Sequence, residues 1–274
     1  MREQVTHVAS ARLREAIRSF VGYRYDGLTP GTHLGLPSTT LTFVLPIDDR
    51  LDVSFTNGRR TYDLVVGGLH TTPATIHFGV RQHGVQIGID PLACRALLGV
   101  PAAELAQTIV ELDDLWGARA HRLLEAAHST SDVARQCARV ERMIDPVESF
   151  GVRPEVSEAW RLVLRSGGLI GVQQMADAVG WSRRHLEQEF RREFGISPKQ
   201  ACRLRRFERA VDLVREGESL AESAAEAGFS DQPHLTRDWK ELTGTTPMRW
   251  RREDHLAFVQ DSANALRHGE SHDY

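Results

Sequence analysis

The sequence predicts an α+β protein: a mainly β N-terminal domain with flanking helices, then an all-α C-terminal domain of two helix-turn-helix units joined by a long helix. Three observations carry this. Short runs of β-branched and aromatic residues between turn residues fill positions 1–100. Stretches dense in Ala, Leu, Glu and Arg follow from position 101. One phrase is written twice, as "MADAVGWSRRHLEQEFRREFGISP" and "AAEAGFSDQPHLTRDWKELTGTTP".

The strand runs come first. "TLTFVLPI" (39–46), "LDVSFT" (51–56), "ATIHFGV" (74–80) and "GVQIGID" (84–90) are separated by Gly, Pro, Asn and Asp. "TNGRR" holds the Asn-Gly pair of a tight hairpin. A small barrel or sandwich is expected. Leu13, Ile17 and Phe20 share one side of a helix predicted over 8–20.

In 101–146, Leu112, Leu115, Trp116, Leu123 and Leu124, then Val133, Cys137, Val140 and Ile144, recur at three- and four-residue steps. Two or three helices are expected. They serve either as a contact surface for a second copy of the chain, with Trp116 as anchor, or as a cap over the open face of the β domain. Residues 147–156 carry Pro and Gly and read as a linker. From about 157 to 254 the pattern is helix and turn, and 255–274 is a polar tail.

In the doubled phrase, Ala176, Gly180, Ser182, Leu186, Phe190, Gly195, Ser197 and Pro198 answer Ala224, Gly228, Ser230, Leu235, Trp239, Gly244, Thr246 and Pro247. Glycine ends a helix because it takes the left-handed conformation at little cost. Ser182 and Ser230 are expected to cap the second helix of each unit, and "SPKQ" forms a capping box that starts the next. Helix, short turn with Gly, helix is the helix-turn-helix, whose second helix enters the DNA major groove by its N-terminal part. Leu186, Phe190 and Phe194, or Leu235, Trp239 and Leu242, take the core. The opposite faces carry Arg183, Arg184, Glu187, Gln188 and Arg191, and Asp231, Gln232, His234, Arg237, Asp238 and Lys240. Arg, Gln and His read base edges, while Lys and Arg hold phosphates. An intervening helix of about 18 residues spans roughly 27 Å and spaces the two readers for successive groove faces. Its Arg203, Arg205, Arg206 and Arg209 read as a solvated face interleaved with acids.

Residues 170–252 resemble the DNA-binding domain of the AraC/XylS family of bacterial transcription regulators. "AAEAGFSDQPHLTRDWKELTGTTPMRWR" follows that family's AxxxGFSDxSYFxRxFKxxxGxTPxxYR pattern, departing at Pro233-His234-Leu235, Trp239 and Trp250. The resemblance implies double-stranded DNA as partner. Its contact residues fall on Ser182, Arg183, Arg184, Glu187, Gln188, Arg191, Gln232, His234, Arg237 and Lys240. It also implies that residues 1–146 sense a small-molecule effector or dimerise, with RNA polymerase a further expected partner. His70 and His77 are the candidate effector-binding residues, because two glycines and a proline around His70 signal close backbone approach.

Other classes find little support. There is no GxSxG, P-loop, HExxH or GxGxxG motif, so no enzyme is expected. Cys94, Cys137 and Cys202 lie far apart and read as buried thiols; no metal or cofactor is expected. A net charge of −3 neither advertises nor excludes nucleic-acid binding. No apolar leader or run of about 20 apolar residues is present, and a cytoplasmic location is expected. Two rivals stay open: a constitutive regulator whose N-terminal domain only dimerises or binds a partner, and a DNA-modifying enzyme with a borrowed reader.

Overall fold

The computed structural model describes residues 2–146 and 151–253. The N-terminal half runs β1 (Arg2–Thr6), β2 (Ile17–Asp26), β3 (Gly31–Gly35), β4 (Leu41–Pro46), β5 (Leu51–Phe55), β6 (Gly58–Tyr62), β7 (Val65–Gly67), β8 (Ala74–Phe78) and β9 (Arg81–Ile89). After a 3-10 turn come α1 (Cys94–Leu98), α2 (Ala102–Leu105), β10 (Ile109–Glu111), α3 (Asp113–Trp116), α4 (Ala118–His128) and α5 (Val133–Met143). The C-terminal half is helical: α6 (Pro154–Arg165), α7 (Val172–Ala178), α8 (Arg183–Phe194), α9 (Pro198–Glu216), α10 (Leu220–Glu226), α11 (Gln232–Thr243) and α12 (Pro247–Glu253).

The strands form two antiparallel sheets, β1-β2-β9-β4-β7-β10 and β3-β8-β5-β6. β5 and β6 close as a hairpin through Thr56-Asn57, with Phe55 opposite Gly58. The predicted helix over 8–20 is corrected. Residues 11–16 make only turns, and Ile17–Asp26 is a strand paired from Ile17 to Asp26 with β9. Leu13, Ile17 and Phe20 are all buried, so the apolar spacing was real. The side chains of Ile17, Phe20, Val21, Tyr23 and Tyr25 fit a pleated surface better than a helix, and pairing on both edges settles the matter.

The helices of 101–146 cover the larger sheet. Gly22 of β2 lets α5 approach closely: a Cβ there would lie 2.6 Å from Val133 Cγ1 and from Cys137 Sγ. Leu123, Ala127, Val133, Cys137 and Val140 are buried beneath α4 and α5. Trp116 donates its indole N–H to the Leu97 carbonyl at 3.0 Å and lies under the Arg119 guanidinium. These buried residues fit the cap reading, while Leu115, Trp116 and Leu124 are half-buried.

One hydrophobic cluster continues from this sheet through α1 and α2 into α6–α12. Among the described residues, a part-buried and a buried polar contact cross between the halves. Arg95 of α1 grips Glu193 of α8 with two hydrogen bonds of 2.9 Å. Glu208 of α9 accepts from the Thr39 amide and hydroxyl, each at 2.8 Å. The predicted linker 147–156 holds the first turn of α6, from Pro154; its residues 147–150, and the tail from 254, lie outside the described residues. Among the described residues no helix is long and apolar enough to cross a membrane.

Candidate nucleic-acid interface

α7–α8 and α10–α11 are two helix-turn-helix units spaced by α9. The predicted helix stops Gly180, Gly195, Gly228 and Gly244 take φ values of +71°, +72°, +80° and +72°. The Ser182 hydroxyl caps α8 by accepting from the His185 amide. Ser197 and Gln200 form the expected capping box on α9. In the second unit the cap is Asp231, which accepts from the His234 amide at 2.6 Å, and not Ser230. The extra residue there moves the helix start by one, and a carboxylate is the stronger acceptor for a charged-end N–H.

The inner faces are as expected. Leu186, Phe190 and Phe194 of α8, and Leu235, Trp239 and Leu242 of α11, are buried. Phe190 and Phe194 pack against Trp160, and Trp239 sits between Phe207 and Trp250. Ser182, Arg183, Arg184, Gln188 and Arg191 are exposed, as are Gln232, Arg237 and Lys240; Glu187 and His234 are half-buried. Glu187 pairs with Arg183 at 3.0 Å, one turn away. The His234 Nδ1 lies 3.1 Å from the Ser230 hydroxyl, one turn back.

Two expectations need correction. Asp238 does not project outward: it turns onto α9 and meets Arg203 Nε at 3.0 Å. Arg203, Arg205 and Arg206 are not a solvated face. Arg203 also pairs with Glu241, Arg205 with Glu208 at 3.3 Å, and Arg206 donates to the Gly168 carbonyl at 3.1 Å. Burial lowers the Arg203 pKa, but Asp238 and Glu241 outweigh it and leave it raised. Arg203 finds both its acids on α11, a partner that spacing along α9 does not reveal, whereas the Arg205–Glu208 pair lies within α9 itself.

Sequence reading passed over the aromatic that follows each turn glycine. Trp181 meets the His185 ring edge-on at 4.5 Å, with Arg153 stacked at 4.8 Å. Phe229 meets His234 at 5.2 Å, with Arg206 at 5.6 Å. The signal was present, since His185 aligns with His234 in the repeat.

In the β half, a cavity of about 100 Å³ opens between the two sheets. Val44, Val53, Val65 and Ile76 give it apolar walls; His33, His70, Gln82 and Gln86 are polar groups on its lining. His70 lies on this wall, donating Nδ1–H to the Thr72 carbonyl at 2.5 Å, and burial holds its pKa down. His77 does not: it contacts the Ser54 hydroxyl at 2.8 Å and lines a neighbouring cleft. Burial pushes His33 down to about 4. Of the two glycines before His70, Gly68 serves packing, since a Cβ there would lie 1.7 Å from the Leu105 carbonyl oxygen, while Gly67 lines the cavity.

Comparison with known proteins agrees with the reader's geometry. Residues 175–253 match the family described as a helix-turn-helix domain, across both units. An uncharacterised helix-turn-helix-type transcriptional regulator of Staphylococcus aureus is 28% identical over 106 residues, covering 38% of this chain and 13% of that protein. A regulator with an AraC-type DNA-binding domain from Chromobacterium violaceum is 27% identical over 38% of this chain and 94% of its own, with a TM-score of 0.35. Fold likeness over the longer span is found with ToxT of Vibrio cholerae in its unsaturated fatty acid-bound form: TM-score 0.51, 14% identity, 87% of this chain and 96% of that one. This chain spans only about an eighth of the Staphylococcus relative's length (13%). The C-terminal region of this chain is an AraC-type helix-turn-helix domain.

Proposed function

We propose that this protein is a sequence-specific, DNA-binding transcriptional regulator in which α8 and α11 enter two adjacent major-groove segments. One observation carries the reading: each helix buries an aromatic core face and turns cations and amides outward from its N-terminal two-thirds. α9, 19 residues and so about 28 Å long, supplies the spacing. Within this reading 157–254 is the reader, 1–146 the controlling domain and 147–156 the connection. The full chain should bind duplex DNA with an affinity that falls steeply with salt, because Lys and Arg displace counterions. A folded chain that shifts no duplex in a gel at 50 mM salt ends the proposal.

Control by an effector is the second part. The cavity between the sheets supports it: apolar walls with histidine and glutamine suit a small, largely apolar molecule bearing one hydrogen-bonding end. ToxT, of like fold, has been solved with an unsaturated fatty acid bound. A thermal-shift series of short- to long-chain carboxylic acids tests this on the full chain; no shift with any of them, or the same shifts after Val53→Trp fills the cavity, removes the sensor. Dimerisation and a contact with RNA polymerase complete the proposal. Sedimentation at micromolar concentration tests the first.

A further inference from the structure

The two turn glycines hold matched places, Gly180 in the first unit and Gly228 in the second, and their surroundings differ. An added Cβ at Gly180 meets nothing within 4 Å. One at Gly228 would lie 2.1 Å from Leu169 Cδ2 and 3.5 Å from Arg206 Cδ. Leu169 belongs to the loop that joins α6 to α7, the first helix of the other unit. It is 57% exposed and yet rests on the second unit's turn. So exposed a leucine stabilises little by burial; what its contact supplies is position.

The loop is fastened in that place. The Gly168 and Leu169 amides bond back to the Val163 and Ser166 carbonyls at 2.9 and 3.2 Å. Gly168 lies so close to α9 that a Cβ would be 2.3 Å from the Cys202 carbonyl oxygen. Two side chains of α9 hold the loop down. Arg206 donates to the Gly168 carbonyl at 3.1 Å, and the Cys202 thiol donates to the Ile170 carbonyl at 3.7 Å. Burial pushes that thiol up to about 11, which keeps its proton in place for donation. The Arg206 guanidinium also stands over the ring of Phe229, the residue after Gly228, at 5.6 Å. One side chain therefore touches both the approach to α7 and the turn before α11. The matching stack in the first unit, Arg153 over Trp181 at 4.8 Å, draws its arginine from the start of α6 and joins nothing to the second unit.

DNA makes such a bridge matter. α9 fixes the distance between the units, while the angle at which the second sits depends on what touches it from the first. Neighbouring base pairs are about 3.4 Å apart along the axis and turned by about 35°. Adding one base pair between two segments displaces the second by both amounts, so two readers held rigidly fit one spacing. Resting on the regulator reading above, we infer that Leu169 and Arg206 are positioning residues that lock the second reader to the first, and that this lock fixes the number of base pairs accepted between the two DNA segments. Neither residue lies on α8 or α11; each acts through the turn at Gly228-Phe229.

The test is a spacing profile measured with the full chain. A duplex selected from a randomised library is remade with one base pair removed, or with one or two added, between its two enriched segments. Wild type should lose about tenfold in affinity on either one-pair change. Leu169→Ala with Arg206→Met should bind the selected duplex within about threefold of wild type, lose no more than about threefold on either change and enrich the same bases. Leu169→Ala alone, at an exposed position that leaves the fold intact, should already broaden the profile. Leu169→Met keeps an apolar chain on the turn and should keep the wild-type profile. A merely structural role predicts that all four duplexes weaken by one factor. That result, or a profile as sharp in the double variant as in wild type, overturns the lock. So does a wild type that accepts every spacing equally or enriches a single segment. Enrichment of no sequence by wild type overturns the regulator reading instead.

Discussion

The two helix-turn-helix units share a fold and differ in how the rest of the molecule holds them. The first is seized: Arg95 grips Glu193, and Gly195 packs so closely that a Cβ there would lie 2.2 Å from Ala106 Cβ. The second borders an open cleft of about 290 Å³, walled by Thr32, His33 and Leu34 on one side and by Thr245, Arg249 and Trp250 on the other. The contacts on α8 fall at its C-terminal end, past the outward residues 183–191, so the N-terminal half anchors the first reader without covering its reading end. Identical local structure thus carries different tertiary constraint, and substitution at matched positions separates the two.

The largest effects should be alike in both units. Phe190→Ala and Trp239→Ala each remove a fully buried aromatic and should cost about 3–5 kcal/mol in urea unfolding. A large inequality would mean that one unit's core is not set by its own aromatic.

Gly195→Ala should come next. Its φ of +72° makes alanine unfavourable by about 1 kcal/mol, and collision with Ala103 and Ala106 should add about 1–3 kcal/mol. Adding Ala106→Gly should recover most of the second part in a double-mutant cycle. Failure to recover it would show that α2 does not bear on α8.

The cleft beside the second unit has a titrating wall. His33 is held neutral down to about pH 4, while the unfolded chain binds a proton there below about 6.5. The folded state then binds fewer protons than the unfolded, so stability is full above pH 6.5 and is lost as pH falls toward 4, by about 1–3 kcal/mol. His33→Gln should flatten that window in urea melts at pH 4.5–7; an unchanged slope would place the acid sensitivity elsewhere.

Gly244→Ala should be the mildest. It has the φ of Gly195, +72°, but nothing within 4 Å of an added Cβ, so only the backbone cost of about 1 kcal/mol remains. Equal losses at Gly195 and Gly244 would break the comparison.

What the sequence determined by itself is local. Repetition marks both units, glycine marks their ends, and the 3.6-residue period marks which face of α8 and α11 is buried, because each depends on residues within one or two turns. The hairpin at Asn57-Gly58 was readable for the same reason. Tertiary structure decided the rest. Ile17–Asp26 became a strand because β1 and β9 pair with it from far away in sequence. Arg203 and Asp238 are half-buried because α9 and α11 pack together and bring their opposite charges into contact. His70 and His33 reach a common cavity, and His77 does not, because alternation on β8 turns Ile76 inward and His77 out. Each of these depends on which distant segment supplies the neighbour, and spacing along one chain carries no record of that partner.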